Sequence, residues 1–224
     1  AAADISLGFW LKNQILYLKN YYNIICVSSP GPYLKNLKNL DVEVYEDIDI
    51  FRKINFLADI KALIKLYKFI KTTSPSIVHT FSPKGNLLGV IAAFFAKTPI
   101  RIISVGGHYY ESKKGIQKRI LMFFEGMTYY FSTIILVNSY HLKLEIETNF
   151  KIYSKKVHIL DPGSTNGIDT NHFKPKIPLR KNKIDLKRKY FNNDDIIITY
   201  IGRINKDKGI ITIIQAMDYI DNKN

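Results

Sequence analysis

An α/β fold is predicted by this 224-residue sequence: a Rossmann-like parallel sheet with helices on both faces, followed by the start of a second Rossmann-like domain. Three observations predict it. Short β-branched runs alternate with longer stretches of helical period. Most of the glycines fall just after those runs, where open parallel sheets bind their ligands. Near residue 170 the pattern changes, with Pro175, Pro178 and a dense lysine and arginine run before the next apolar segment. Strands separated by helices imply parallel pairing. The resulting division is a first domain over 1–172, a linker over 173–195, and the first strand and helix of an incomplete second domain over 196–224.

The elements follow in order. Ala1 to Ser6 leads directly into a helical stretch, Leu7 to Tyr21, where a doubly wound domain ordinarily begins with a strand, so the opening strand is expected to be missing. Ile24 to Ser28 reads as a strand, with Cys26 a small buried hydrophobe. The helix Tyr33 to Leu40 and the strand Val42 to Tyr45 come next. In the helix Asn55 to Thr72, Phe56, Ile60, Leu63, Ile64, Tyr67 and Ile70 recur at helical spacing. Strands at Ile77 to Phe81, Ile100 to Val105, Ile134 to Asn138 and Val157 to Leu160 then alternate with helices at Asn86 to Ala96, Ile116 to Phe131 and Tyr140 to Phe150. The strand Ile196 to Ile201 and the helix Ile210 to Ile220 close the chain.

A hydrophobic content of 46% is ample for a sizeable core, and a formal charge of +14 favours anionic partners. The single cysteine permits no disulfide within the chain, and a reducing cytoplasm is its natural compartment. No stretch approaches the roughly twenty apolar residues that cross a bilayer, so membrane contact is expected to be peripheral. No recognition-helix or RNA-binding signature accompanies the charge, and no nucleic-acid partner, metal or cofactor is expected.

The chemistry-bearing stretches lie after the strands. Ser82 is a ready N-cap, Pro83 suits the first helical position, and Lys84 adds a cation where backbone N–H groups favour an anion. A well-capped helix and a phosphate or sugar contact are both compatible with that stretch. Gly106 and Gly107 let the backbone approach a ligand, while His108 and Glu111 offer proton-transfer or hydrogen-bonding groups. Asp161 to Asp169 is turn-rich, with Asn166-Gly167 reading as a tight turn. Lys113, Lys114, Lys118 and Arg119 beside Ile120, Phe123 and Phe124 describe either a bilayer-docking helix or a sheet-covering helix with a charged first turn. Arg203, Lys208 and Gly209 stand between an apolar run and a helix, the arrangement that holds a phosphate group.

In order along the chain, Ile77-Val-His-Thr-Phe-Ser-Pro-Lys-Gly-Asn-Leu-Leu-Gly89, Pro99-Ile-Arg-Ile102, Gly163-Ser-Thr-Asn-Gly-Ile-Asp169 with Phe173, and Tyr200-Ile-Gly-Arg203 with Lys208-Gly-Ile210 resemble the bacterial family 4 retaining glycosyltransferases. The likeness is greatest to the branch that builds capsule, O-antigen or other glycans on polyprenyl diphosphate. The resemblance implies a GT-B fold, with an acceptor-binding domain, a nucleotide-sugar-binding domain and catalysis between them. It implies that Arg203 and Lys208 contact the donor diphosphate, that Ser82, Lys84, Gly106, Gly107 and Glu111 bind substrate, and that His108 is the catalytic candidate. The implied partners are a nucleotide-diphosphate sugar, a lipid-linked saccharide acceptor and an anionic membrane surface.

Two departures stand out. Many family members carry a histidine directly before the loop glycine, whereas here that position is Gly106 and the histidine is His108, so either His108 takes over the role or this branch works without it. The paired glutamates of the family's donor domain would fall beyond Asn224, so the chain alone is expected to lack transfer activity. A nucleotide-sugar epimerase of the same architecture and a non-catalytic remnant are the competing readings.

Overall fold

Ile25–Val27 (β1) pairs in parallel with Glu43–Tyr45 (β2). Ile77–Phe81 (β3), Ile100–Val105 (β4), Ile134–Val137 (β5) and Val157–Ile159 (β6) form a second parallel sheet in that order. These pairings come from a computed structural model that describes residues 1–51, 55–161, 163–164, 167–174, 189–192 and 196–221. The chain divides into two units, Ala1–Ile168 and Asp169–Asn224.

Parallel strands need crossover connections, and helices supply them. Lys12–Leu18 (α1) precedes β1, and Lys35–Lys38 (α2) joins β1 to β2. Phe56–Thr73 (α3), Pro83–Phe95 (α4), Gly115–Phe131 (α5) and Tyr140–Asn149 (α6) connect the remaining strands. Two of these helices start on side-chain caps. Asn55 accepts the Ala58 N–H at 3.2 Å, and Ser139 accepts the Leu142 N–H at 3.2 Å.

Register explains the core. Ile103 stands opposite Ile135, Val105 opposite Val137, and Ile135 opposite Val157, so these residues share one face of the sheet. They pack with Val90 of α4, Tyr129 of α5, and Leu142 and Ile146 of α6. Burying each such aliphatic side chain contributes about 1.5–3 kcal/mol. A second cluster joins Ala62, Leu66 and Ile70 of α3 to Leu88, Ala92 and Ala93 of α4. Gly89 is what lets α4 lie close to β3, since a Cβ there would come within 2.5 Å of Thr80 Cγ2. Lys156, at the entry to β6, donates to the carbonyls of Tyr129, Tyr130 and Ser132 at 2.9, 3.0 and 2.7 Å, closing the carboxyl end of α5.

Four expectations change. The strands of the first unit form two sheets, β1-β2 and β3-β4-β5-β6, and the opening residues lie between them, with Ala1 donating to Val27 O at 2.8 Å and Ala2 to Ser82 Oγ at 3.4 Å. The helix expected over Leu7 to Tyr21 is split into a wide π-turn, Ser6–Trp10, and α1. Gly8 lies in that π-turn, packed against the Tyr33 backbone with no room for a side chain. Ser82 occupies the N-cap position of α4 at a φ of 72°, outside the extended region an N-cap ordinarily takes, and its hydroxyl makes no capping bond, accepting the Ala2 N–H at 3.4 Å instead.

The fourth change lies in the second unit, where Ile196 to Ile201 joins no ladder among the described residues. A parallel strand exists only beside a neighbour, and none of the described strands pairs with it. Ile210–Asp221 (α7) follows a short 3-10 turn, Lys206–Lys208, and Gly209 makes the join at a φ of 74°. Much of the lysine- and arginine-rich linker, with Pro175 and Pro178, lies outside the described residues, as does Asn166 of the expected tight turn.

Candidate functional site

The carboxyl ends of β3, β4, β5 and β6 open on a cleft of about 440 Å³. Its floor is Phe81, Ser104, Val105, Leu136, Val137 and Leu160. Ser82, Pro83 and Asn86 bring the amino end of α4 to one wall, where backbone N–H groups favour an acceptor. Ser6, Trp10, Leu11 and Gln14 form the rim. Gly106 and Gly107 also line the cleft; a Cβ at Gly107 would meet nothing within 4 Å, and at Gly106 only Asn138 Nδ2 at 3.6 Å. The backbone there is open to a ligand.

The turn after β6 is held to the cleft by main-chain geometry. Ser164 donates to Asn138 O at 2.9 Å, and a Cβ on Gly163 would lie 2.6 Å from that same oxygen. At a φ of 95°, position 163 also takes a backbone conformation that glycine adopts without penalty. Below the floor, His79 Nε2 lies 2.9 Å from Ser104 Oγ, and burial lowers the imidazole pKa to about 4, leaving it neutral at pH 7. Asn86 Nδ2 donates to Ser104 O at 2.9 Å.

His108 is buried beside the cleft. Its Nδ1 is 3.3 Å from Glu125 Oε1, its Nε2 is 3.8 Å from Glu145 Oε2, and its ring stacks on Tyr110 at 4.6 Å. Tyr129 donates to Glu125 Oε1 at 2.9 Å, and Tyr110 donates to Glu145 Oε1 at 3.0 Å. Burial first, and then the neighbouring carboxylates, push both phenols above their ordinary range. The group is a polar network inside the fold, and Glu125 is the member that reaches the cleft.

The structure therefore brings together Ser82, Gly106 and Gly107, with His108 behind them. Lys84 and Glu111 are not among the lining residues. Lys84 Nζ pairs with Asp59 Oδ1 at 2.8 Å, both side chains being largely buried, and Asp59 Oδ2 also accepts the Asn55 N–H at 3.3 Å. Glu111 is exposed on the 3-10 turn Tyr109–Ser112. Arg203 and Lys208 belong to the second unit and are exposed ahead of α7, where Tyr200 Oη donates to Arg203 O at 2.8 Å. Sequence reasoning missed Glu125, Asn86 and Trp10. For Glu125 a signal was available: it is an acid inside the apolar run Ile120-Leu-Met-Phe-Phe-Glu-Gly-Met127.

A family model described as Glycosyl transferase 4-like matches residues 3–139. The chain is 36% identical over 214 residues to the capsular polysaccharide biosynthesis glycosyltransferase CapM of Staphylococcus aureus, covering 95% of this chain and 54% of that protein. It is 29% identical over 208 residues to a UDP-Gal:alpha-D-GlcNAc-diphosphoundecaprenol alpha-1,3-galactosyltransferase of Escherichia coli, covering 90% and 50%. Among solved structures, HepE of Anabaena in complex with UDP and glucose matches with a TM-score of 0.63 at 15% identity, over 97% of this chain and 56% of that one, a likeness of fold. The chain spans about half the length of the curated relatives it matches.

Proposed function

Because the chain belongs to the glycosyl transferase 4-like family, we propose that it supplies the acceptor-side unit, and the opening part of the donor-side unit, of a retaining glycosyltransferase of cell-surface glycan synthesis. The reaction moves a hexosyl or N-acetylhexosaminyl group from a nucleotide-diphosphate sugar to a saccharide carried on polyprenyl diphosphate. The bond from the anomeric carbon to the diphosphate breaks, with its electron pair leaving on the diphosphate. An acceptor hydroxyl forms the new glycosidic bond on the same face and passes its proton to an oxygen of the departing diphosphate. Arg203 and Lys208 offset the charge that grows on the departing diphosphate.

The observation that carries this reading is the glycine-open cleft at the carboxyl ends of β3 to β6, the place where an open parallel sheet takes its ligand. A membrane partner is supported by α5. Ile116, Ile120 and Phe123 are exposed on a helix that also carries Lys118 and Arg119, with Lys113 and Lys114 just before it. Such a face suits the anionic headgroups of the cytoplasmic leaflet. Among the described residues no helix is long and apolar enough to cross a membrane.

The test is to supply the full-length gene product with UDP- and GDP-linked sugars and a prenyl-diphosphate saccharide. A lengthened lipid-linked saccharide with the donor's anomeric configuration is expected. Conversion of the donor sugar to its epimer with no acceptor present would favour the epimerase reading instead.

A further inference from the structure

Glu125 is the only charged residue among the described residues lining the cleft, in a chain whose net charge is +14. Both of its hydrogen bonds, from Tyr129 and His108, end on Oε1. Oε2 takes none among the described residues, and the side chain keeps 17% of its exposure. Tyr129 and His108 are themselves buried, so the carboxylate is fixed before any ligand arrives.

A second acceptor stands in the same wall. Asn86 is 5% exposed, its Nδ2 is committed to Ser104 O, and its Oδ1 has no hydrogen-bond partner among the described residues. A buried acceptor left unpaired is costly, and a ligand that donates to it removes that cost.

These acceptors discriminate between ligand classes. Phosphate oxygens only accept hydrogen bonds and carry negative charge, so a carboxylate opposes them, and the nearest expected cation, Lys84, is neutralised by Asp59. A hydroxyl both donates and accepts. It can donate a hydrogen bond to Glu125 or Asn86 while accepting one from a backbone N–H at the amino end of α4. Trp10 and Phe81 add aromatic surface on which the apolar face of a sugar ring packs.

We infer that Glu125 and Asn86 are hydroxyl-reading residues of a saccharide subsite in this cleft, with Tyr129 and His108 as positioning residues that hold Glu125. That the bound saccharide is an acceptor rests on the glycosyltransferase reading; that the cleft takes a neutral sugar in preference to a phosphate does not.

The experiment is a nuclear magnetic resonance titration of the 224-residue chain, with 13C-labelled glutamate carboxylates. The probes are methyl glycosides of glucose, galactose and N-acetylglucosamine, and inorganic pyrophosphate. At least one glycoside is expected to move the Glu125 carboxylate and the Gly106 and Gly107 amides, and Glu125→Gln to weaken that glycoside about tenfold or more. The carboxylate signal is read in the unaltered chain, so the test survives a variant that fails to fold. Shifts with pyrophosphate in place of sugars, no shift with any glycoside, or equal affinity in a folded Glu125→Gln variant each overturn the inference. Sugar binding together with no transfer by the full-length protein would overturn the enzyme reading alone.

Discussion

His108 Nδ1 and Glu125 Oε1 lie 3.3 Å apart, joining a buried imidazole to an acidic group in the cleft wall. On the other side of the ring Glu145 stands at 3.8 Å, so His108 separates two carboxylates that would otherwise face each other across a poorly solvated space. This arrangement lets His108 hold Glu125 of α5 at the cleft wall and tie the loop after β4 to that helix.

Removing the imidazole should therefore cost stability. His108→Ala is expected to lower the unfolding free energy by about 2–4 kcal/mol, through lost packing on Tyr110 and the two carboxylates left facing each other. Urea denaturation checks it, and an unchanged midpoint would remove His108 from the network.

The carboxyl end of α5 offers a second measurement. Lys156→Met keeps most of the aliphatic stem and deletes the ammonium that three carbonyls share. A loss of about 1–3 kcal/mol is expected, visible as a lowered thermal midpoint.

Close packing of α4 on β3 gives a third. Gly89→Ala puts a methyl group 2.5 Å from Thr80 Cγ2, so either the Thr80 side chain or the helix has to shift. Destabilisation of about 1–3 kcal/mol is expected, whereas Gly126→Ala, whose Cβ meets only the Phe150 ring at 3.6 Å, should be close to neutral.

Acid stability follows from His79. Its folded pKa, about 4, lies below the ordinary histidine value, so the unfolded chain binds the proton first as pH falls. Its contribution is complete above about pH 6.5 and declines toward pH 4 by about 3 kcal/mol in all, of which about 2 kcal/mol is lost between pH 7 and pH 4.5. Unfolding free energies at pH 7 and pH 4.5 test this; in His79→Gln the difference between the two should shrink by that amount.

The alternation of β-branched and helical runs was enough to place the strands because each strand's partners come from equally periodic segments. Ile77–Phe81 and Ile100–Val105 have the bounds that their apolar runs predict. Local pattern fails where the decisive partner is remote in sequence. Lys84 looks poised for an anion until Asp59, 25 residues earlier, is seen to take it. Ser82 looks like a cap until its φ is known. Glu125 stands out as an acid inside an apolar run, but its two hydrogen-bond donors, His108 and Tyr129, are brought to it only by the fold. The apolar run at Ile196 predicts a strand, but a strand is a property of two segments, and the described residues hold one of them.

Transfer kinetics of the full-length protein carrying Arg203→Ala and Lys208→Ala, with donor and acceptor varied separately, test the central claim most directly. The account predicts that kcat/KM for the nucleotide-sugar falls about a hundredfold or more, with the acceptor KM little changed. Unaltered donor kinetics in the double variant, or no sugar transfer by the unmutated protein, would contradict it.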